Sequence, residues 1–295
     1  MSRALVLGGG GPVGIAWESG LIAGLAQGGV DLGEADHIQG TSAGSFVGLR
    51  LAMGEPCATL ADPILSDATS MVRNVARSTR KPPDLTQVMR IMAKAKEAKR
   101  DLAEARAEIG ALALAAPTMS EDEYIQSFGR QFAALADDAW PARSFACTGV
   151  VAETGAFELW TQDSGVGVGR AVAASCSFPG IYPPVTINGR RWIDGGARSM
   201  TNADLAAGYD VVLIVQVRMS EWTPGGALAK LFDCLAEETA SLEAGGAAVL
   251  SILPDAAGVA ALGGNPMDFE KRAGAARAGL TQGLAIADSV KAVWG

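Results

Sequence analysis

Histidine is almost absent: the 295 residues include one, His37, and that scarcity removes whole classes of chemistry. A zinc centre built from several histidines is out of reach. So is a serine–acid–histidine triad in which the histidine comes last in the chain. Four cysteines, Cys57, Cys147, Cys176 and Cys234, stand far apart with no CxxC spacing. No metal cluster or redox pair is written in them, and reduced, buried thiols are expected. Aromatics are scarce at 6%, which disfavours an aromatic-lined barrel. Basic residues are outnumbered, 24 Lys and Arg against 32 Asp and Glu, leaving a net charge of −8. No basic patch dominates, so a nucleic-acid partner is disfavoured. Simple electrostatic attraction to anionic lipid is disfavoured too, and any membrane contact would be peripheral, through apolar surface. No uninterrupted apolar run is long enough to span a bilayer. The short apolar run after Arg3 meets glycine at once, too soon for a secretory signal. A soluble, cytoplasmic protein is the expectation.

Glycine and apolar residues are what the chain has, with 37 glycines and 49% hydrophobic residues. The length suits one large α/β domain or two small ones. There is no internal repeat and no low-complexity linker, and Gly225-Gly226 and Gly263-Gly264 read as loops, so a single domain over residues 1–295 is expected. The stretch on which the rest turns is Gly40-Thr41-Ser42-Ala43-Gly44, of the form G-x-S-x-G. A short strand-like run leads in. Phe46, Leu49 and Met53 lead out at helical spacing until Gly54. Strand, tight turn and helix is the context of a nucleophile elbow, with Ser42 exposed at a strained bend. A turn in a glycine-rich chain produces the same pentapeptide by chance, so the remaining motifs decide.

Ala4-Leu5-Val6-Leu7 reads as a buried parallel strand. Gly8-Gly9-Gly10-Gly11-Pro12-Val13-Gly14 follows, and then Ile15, Trp17, Leu21, Ile22 and Leu25 at helical spacing, ended by Gly28-Gly29. A glycine loop at a helix N-terminus binds anions through its N–H groups. Two functions fit it. Gly9, Gly11 and Gly14 match the dinucleotide fingerprint G-x-G-x-x-G, but Asp31, Glu34 and Asp36 precede the second strand, where they would not meet a ribose at its C-terminal end. The alternative is an oxyanion hole beside the elbow, its donors Gly9, Gly10 and Gly11, since Pro12 has no N–H. His37 precedes Ser42 in the entering strand and reads as a packing residue. The base for Ser42 is then most plausibly a carboxylate.

Residues 57–136 form a less regular helical region with the character of a lid. Within it, residues 84–116 are rich in helix formers, with an apolar stripe of Leu85, Val88, Met89 and Met92 and alternating charge after it; a solvated surface helix is favoured there over a mobile cover. Residues 122–136 predict another helix, with Tyr124, Phe128 and Phe132 on one face. Strands resume at 145–151 and 156–160, and residues 168–175 predict a helix of small side chains. Asn188-Gly189 between Val185-Thr186-Ile187 and Arg191-Trp192-Ile193 signals a hairpin whose second strand ends in Asp194-Gly195-Gly196. A short helix at 202–207 is expected next. Val211-Val212-Leu213-Ile214-Val215 is apolar throughout and so central, residues 226–243 predict a helix, 248–253 a strand, and 268–293 a closing helix. The alternation predicts a three-layer α/β/α fold on a mostly parallel sheet.

Glycine loop, elbow, a later Asp-Gly-Gly and the segment Ala174-Ser175-Cys176-Ser177-Phe178-Pro179 together resemble the patatin-like phospholipase family, from Leu5 to about Val215. The resemblance implies a lipid acyl hydrolase working through a Ser–Asp dyad. Ser42 would be the nucleophile, Asp194 its base, and Gly9, Gly10 and Gly11 the oxyanion donors, with no metal and no cofactor. The family's motif usually has Arg or Lys before its last glycine, and Val13 stands there. That departure suits a neutral lipid or simple fatty-acyl ester better than a phospholipid. Open alternatives are a non-hydrolytic lipid- or dinucleotide-binding protein using the glycine loop, and an acyltransferase on the same dyad.

Overall fold

The computed structural model describes residues 1–66, 102–129, 139–219 and 233–295. Its centre is a sheet of eight strands: β1 (Arg3–Leu7), β2 (His37–Gly40), β3 (Phe145–Val151), β4 (Phe157–Trp160), β5 (Val185–Ile187), β6 (Arg190–Asp194), β7 (Val211–Val215) and β8 (Ala248–Ile252). β3, β2, β1, β7 and β8 lie side by side and all run parallel. β4 and the β5–β6 hairpin are antiparallel additions to the β3 side. Asn188 and Gly189 both take positive φ, 50° and 74°, which is the backbone a tight two-residue hairpin needs.

The registers bring the ends of β2 and β6 together. A strand has two edges, and β4 occupies one edge of β3 from Cys147 to Val150. β2 takes the other edge at Phe145–Cys147 and stops with Gly40 opposite Cys147. β6 arrives from the opposite direction on that same edge and stops with Asp194 opposite Gly149. The C-terminal ends of β2 and β6 therefore meet nearly head-on over two residues of β3.

Alternation along the central strands sorts side chains to two faces, as a pleated strand must. Leu5, Leu7, Leu213 and Val215 join one cluster with α1 (Gly11–Gln27), α2 (Ala43–Ala52) and α9 (Arg272–Trp294). Ala4, Val6, Val212 and Ile214 face the other way, onto Leu235 and Leu242 of α7 (Asp233–Ala244). Each Leu or Val fully buried in this way contributes about 1.5–3 kcal/mol, so both faces need a covering layer. The expected three layers result. α9 lies so close over α1 that a Cβ on Gly20 would run into the Ala276 carbonyl, and one on Gly279 into the Trp17 carbonyl. This contact fixes the helix that begins at the glycine loop.

The described part of the region expected to be lid-like is packed. α3 (Asp62–Ser66) buries Ile64. α4 (Leu102–Ala115) sets Ile109 and Ala113 against Val150 and Ile193 of the sheet. α5 (Glu121–Gly129) puts Tyr124 and Phe128 on one face, with ring centroids 5.5 Å apart. The stripe from Leu85 to Met92, the charged run after it and Phe132 lie outside the described residues, as does the start of the helix expected from 226. α6 (Val168–Ser175) matches expectation, and the helix expected at 202–207 is a single 3-10 turn, Ala203–Ala206. α8 (Ala256–Leu262), capped by Asp255, was not expected; it is only seven residues of Ala, Gly, Val and Leu, too short to show a period.

Candidate active site

Ser42 stands between β2 and α2 with φ 54° and ψ −117°, a backbone that side chains other than glycine rarely adopt. Its neighbours force that bend. A Cβ on Gly44 would run into the Leu7 carbonyl, and one on Gly40 into the backbone of Ser45. The Gly44 N–H donates to the Gly8 carbonyl at 2.9 Å, and the Thr41 N–H to the Leu7 carbonyl at 3.0 Å, so the turn is tied to β1. The Ser42 N–H donates to Ser175 Oγ at 3.1 Å, and the Cys176 thiol to the Ser42 carbonyl at 3.0 Å. α2 begins at the next residue, and its N-terminus favours negative charge there.

Asp194 ends β6 and is buried, 1% exposed. Its Oδ1 accepts the Gly196 N–H at 2.7 Å, and its own N–H donates to the Ser177 carbonyl at 3.1 Å. Burial pushes its carboxyl up to about 7, against the opposing pull of the Ser42 hydroxyl and the Gly196 N–H. Ser42 and Asp194, 152 positions apart, thus share one site. Oδ2 is buried with no described hydrogen-bond partner. The Ser42 hydroxyl lies close enough to the carboxyl to hold its value down against burial. A carboxylate with a spare acceptor oxygen and a value near neutrality is suited to receive a proton.

The glycine loop lies against Ser42: a Cβ on Gly9 would stand 3.4 Å from Ser42 Cβ. One expectation about it is corrected. The Gly9 N–H donates to the Met200 carbonyl at 2.8 Å and is not free to meet an oxyanion. The N–H groups of Gly10 and Gly11 have no acceptor among the described residues, and neither has that of Ala43, which sequence reasoning passed over. Val13 is fully buried in the core, and its N–H donates to the Pro266 carbonyl at 3.2 Å. Pro266 also covers Gly11, where a Cβ would stand 2.8 Å from its carbonyl oxygen. A dinucleotide pyrophosphate would need that approach, and no acid stands at the end of β2 to meet a ribose.

His37 lies at the start of β2, stacked on Tyr209 and bonded through Nδ1 to Ser144 Oγ at 2.8 Å, away from Ser42 at the far end. Aromatic rings gather near the site instead. Phe46, one turn along α2 from Ser42, meets Phe128 at 6.0 Å between centroids, and Tyr124 stacks on Tyr182 at 4.9 Å. Burial holds the Tyr124 phenol and the Cys176 thiol well above their ordinary values, and the charge of Asp194 adds to both, so these groups stay neutral. Among the described residues no cluster of metal-ligating side chains occurs, and no helix is long and apolar enough to cross a membrane.

A family model described as patatin-like phospholipase matches residues 5–207. No curated protein sequence matches the chain. Among solved structures, VipD from Legionella pneumophila is 16% identical with a TM-score of 0.48, over 98% of this chain and 67% of VipD. ExoU in its complex with SpcU, from the type III secretion system of Pseudomonas aeruginosa, is 17% identical with a TM-score of 0.35. That match takes in 96% of this chain and 52% of the other, so the chain spans about half of ExoU's length.

Proposed function

The chain belongs to the patatin-like phospholipase family of lipid hydrolases, and from that premise we propose that it cleaves carboxylic esters of lipids through an acyl-enzyme on Ser42, with Asp194 as base. The observation that carries the reading is the meeting of a strained serine and a buried carboxyl at the facing ends of β2 and β6. Ser42 Oγ attacks the ester carbonyl while its proton passes to Asp194. The N–H groups of Gly10, Gly11 and Ala43 hold the oxyanion; losing one such donor typically costs about 3 kcal/mol of transition-state stabilisation. Collapse expels the alcohol, which takes the proton back from Asp194. Water then gives a proton to Asp194 and its oxygen to the acyl carbon, and Ser42 leaves reprotonated with the free carboxylic acid as product.

Burial, Ser42 and Gly196 account for the Asp194 shift, with no described charged side chain among its causes. With Val13 buried in the core, this favours a neutral lipid or simple fatty-acyl ester over an anionic head group. The half-buried Phe46–Phe128 pair and Tyr182 offer apolar surface for the acyl chain. Transfer of the acyl group to an alcohol uses the same steps with the acceptor in place of water. The test is fluorophosphonate labelling alongside release from p-nitrophenyl esters. Wild type should label and turn over, and Ser42→Ala should do neither. Labelling that survives Ser42→Ala removes Ser42 from its role, and a folded wild type that binds lipid without labelling favours the non-hydrolytic alternative.

A further inference from the structure

Beneath the dyad runs a buried polar strut that the chemistry above does not use. Asn202 is fully buried and sits in the left-handed region, φ 52° and ψ 34°, which Asn tolerates better than most residues. Its side-chain Nδ2 donates to Thr41 Oγ1 at 3.0 Å, to the Ser199 carbonyl at 2.7 Å and to the Gly195 carbonyl at 3.3 Å. Thr41 immediately precedes Ser42, and Gly195 immediately follows Asp194. One amide therefore touches both the segment that carries the nucleophile and the segment that carries the acid. The Arg198 guanidinium donates to Oδ1 at 2.8 Å, which fixes which way the amide points. Gln39 of β2 donates to the Asn202 backbone carbonyl at 2.8 Å.

The strut is anchored from behind. Glu238 of α7 accepts the Thr201 hydroxyl at 2.6 Å and the Ala203 N–H at 2.9 Å, gripping the residues on either side of Asn202 with one carboxylate oxygen. Thr41 Oγ1 is shared with Thr148 Oγ1 of β3 at 3.0 Å. Thr148 lies between Cys147, where β2 stops, and Gly149, where β6 stops. The gap between the two strand ends is thus filled by hydrogen bonds rather than by apolar packing, and hydrogen bonds fix direction where packing only fixes proximity.

Resting on the Ser–Asp reading, we infer that Asn202 is a positioning residue: its amide sets the distance between Ser42 and Asp194 by tying Thr41 to Gly195. The test uses Asn202→Gly, which keeps the left-handed backbone comfortable and removes only the side chain. With a p-nitrophenyl ester, kcat should fall about 100-fold with KM within about threefold, since a displacement of about 1 Å at the reacting groups costs that much. The pH midpoint of kcat/KM should move upward, because a looser Ser42 no longer holds the Asp194 carboxyl down. A folded Asn202→Gly with wild-type kcat and midpoint overturns the inference.

A second arm covers a variant that fails to fold. Thr41→Val should slow turnover where Thr41→Ser does not, and Thr41→Val at the wild-type rate overturns the inference as well. If Asn202→Gly folds, adding Thr41→Val should cost little more, because both remove one interaction; losses that multiply instead mean independent effects and sink the proposal. Absent labelling of wild-type Ser42 by fluorophosphonate marks failure of the Ser–Asp reading, which separates it from failure of the strut.

Discussion

Ser42 takes its bend from glycines close to it in sequence, whereas Asp194 is brought into place by residues distant in sequence. The bend at Ser42 comes from Gly40 and Gly44, two residues to either side, where the backbone of Ser45 and the Leu7 carbonyl leave no room for a Cβ. Asp194 has only one such local tie, the Gly196 N–H. What puts it beside the serine is the pairing of β6 with β3 and the Asn202 amide, contacts that span from 7 to 161 positions of chain. The serine end should therefore break by steric insult within the elbow. The acid end should break by loss of register or of buried polar partners.

The largest effect expected from the acid end is that of Asp194→Asn. The amide cannot take the serine proton, and kcat should fall by about 10³–10⁴-fold, the scale seen when the acid of a catalytic serine site is removed. The same change should make the protein more stable above neutral pH. The carboxyl's ordinary value is 3.8 and its folded value about 7, so folding holds a proton that the unfolded chain releases. Stability from this group is complete below about pH 4, falls as pH rises between the two values, and stays lost above about 7. The cost at pH 8 is about 4 kcal/mol, at about 1.36 kcal/mol per unit. Urea melts should show Asp194→Asn gaining over wild type at pH 8 and gaining little at pH 4. Equal differences at both pH values would mean that the carboxyl is not desolvated.

At the serine end the matching experiment is Gly44→Ala. On helix propensity alone alanine would help by about 1 kcal/mol at this position. The Leu7 carbonyl blocks it, and Leu7 belongs to the central strand β1, which cannot retreat. A net loss of about 3 kcal/mol, the upper range for an overpacked core, is expected by chemical denaturation. Fluorophosphonate labelling should slow as well, because the insult falls on the bend itself. A stable, fully labelled Gly44→Ala would show that the elbow yields more easily than its contacts indicate.

The same contrast explains what could be read from the chain beforehand. G-x-S-x-G, the strand before it and the helix after it are local, and local sterics are written in adjacent residues. Asp194-Gly195-Gly196 was visible as an acid at a strand end, yet nothing in residues 190–196 says that β6 shares an edge of β3 with β2. Ser175 and Asn202 were hidden for the same reason: a buried Ser or Asn has no periodicity, and its meaning lies in partners far along the chain. The Gly9 donor failed because the carbonyl that takes its N–H belongs to Met200, some 190 residues on. The close contact between α1 and α9 carried a usable signal, glycines at four-residue spacing (Gly20, Gly24 and Gly279, Gly283), which allow two helix backbones to touch.

The smallest expected effect tests the acid's role most sharply. An esterase whose rate rises through pH 7 invites assignment of that limb to histidine, and His37 is the chain's sole histidine. Burial, however, lowers the His37 value from 6.5, while it raises Asp194 to about 7. The ring lies at the other end of β2, about 16 Å from Ser42 at about 3.3 Å per strand residue. His37→Gln keeps a partner within reach of Ser144 and should leave kcat within about twofold and the midpoint of kcat/KM near 7, because the group that must lose its proton is still Asp194. Stability should fall by about 1 kcal/mol, the worth of a buried hydrogen bond with imperfect replacement. A pH profile that loses its acid limb in His37→Gln would transfer the base from the carboxylate to the imidazole, and the contrast between a serine held locally and an acid held at long range would lose its second member.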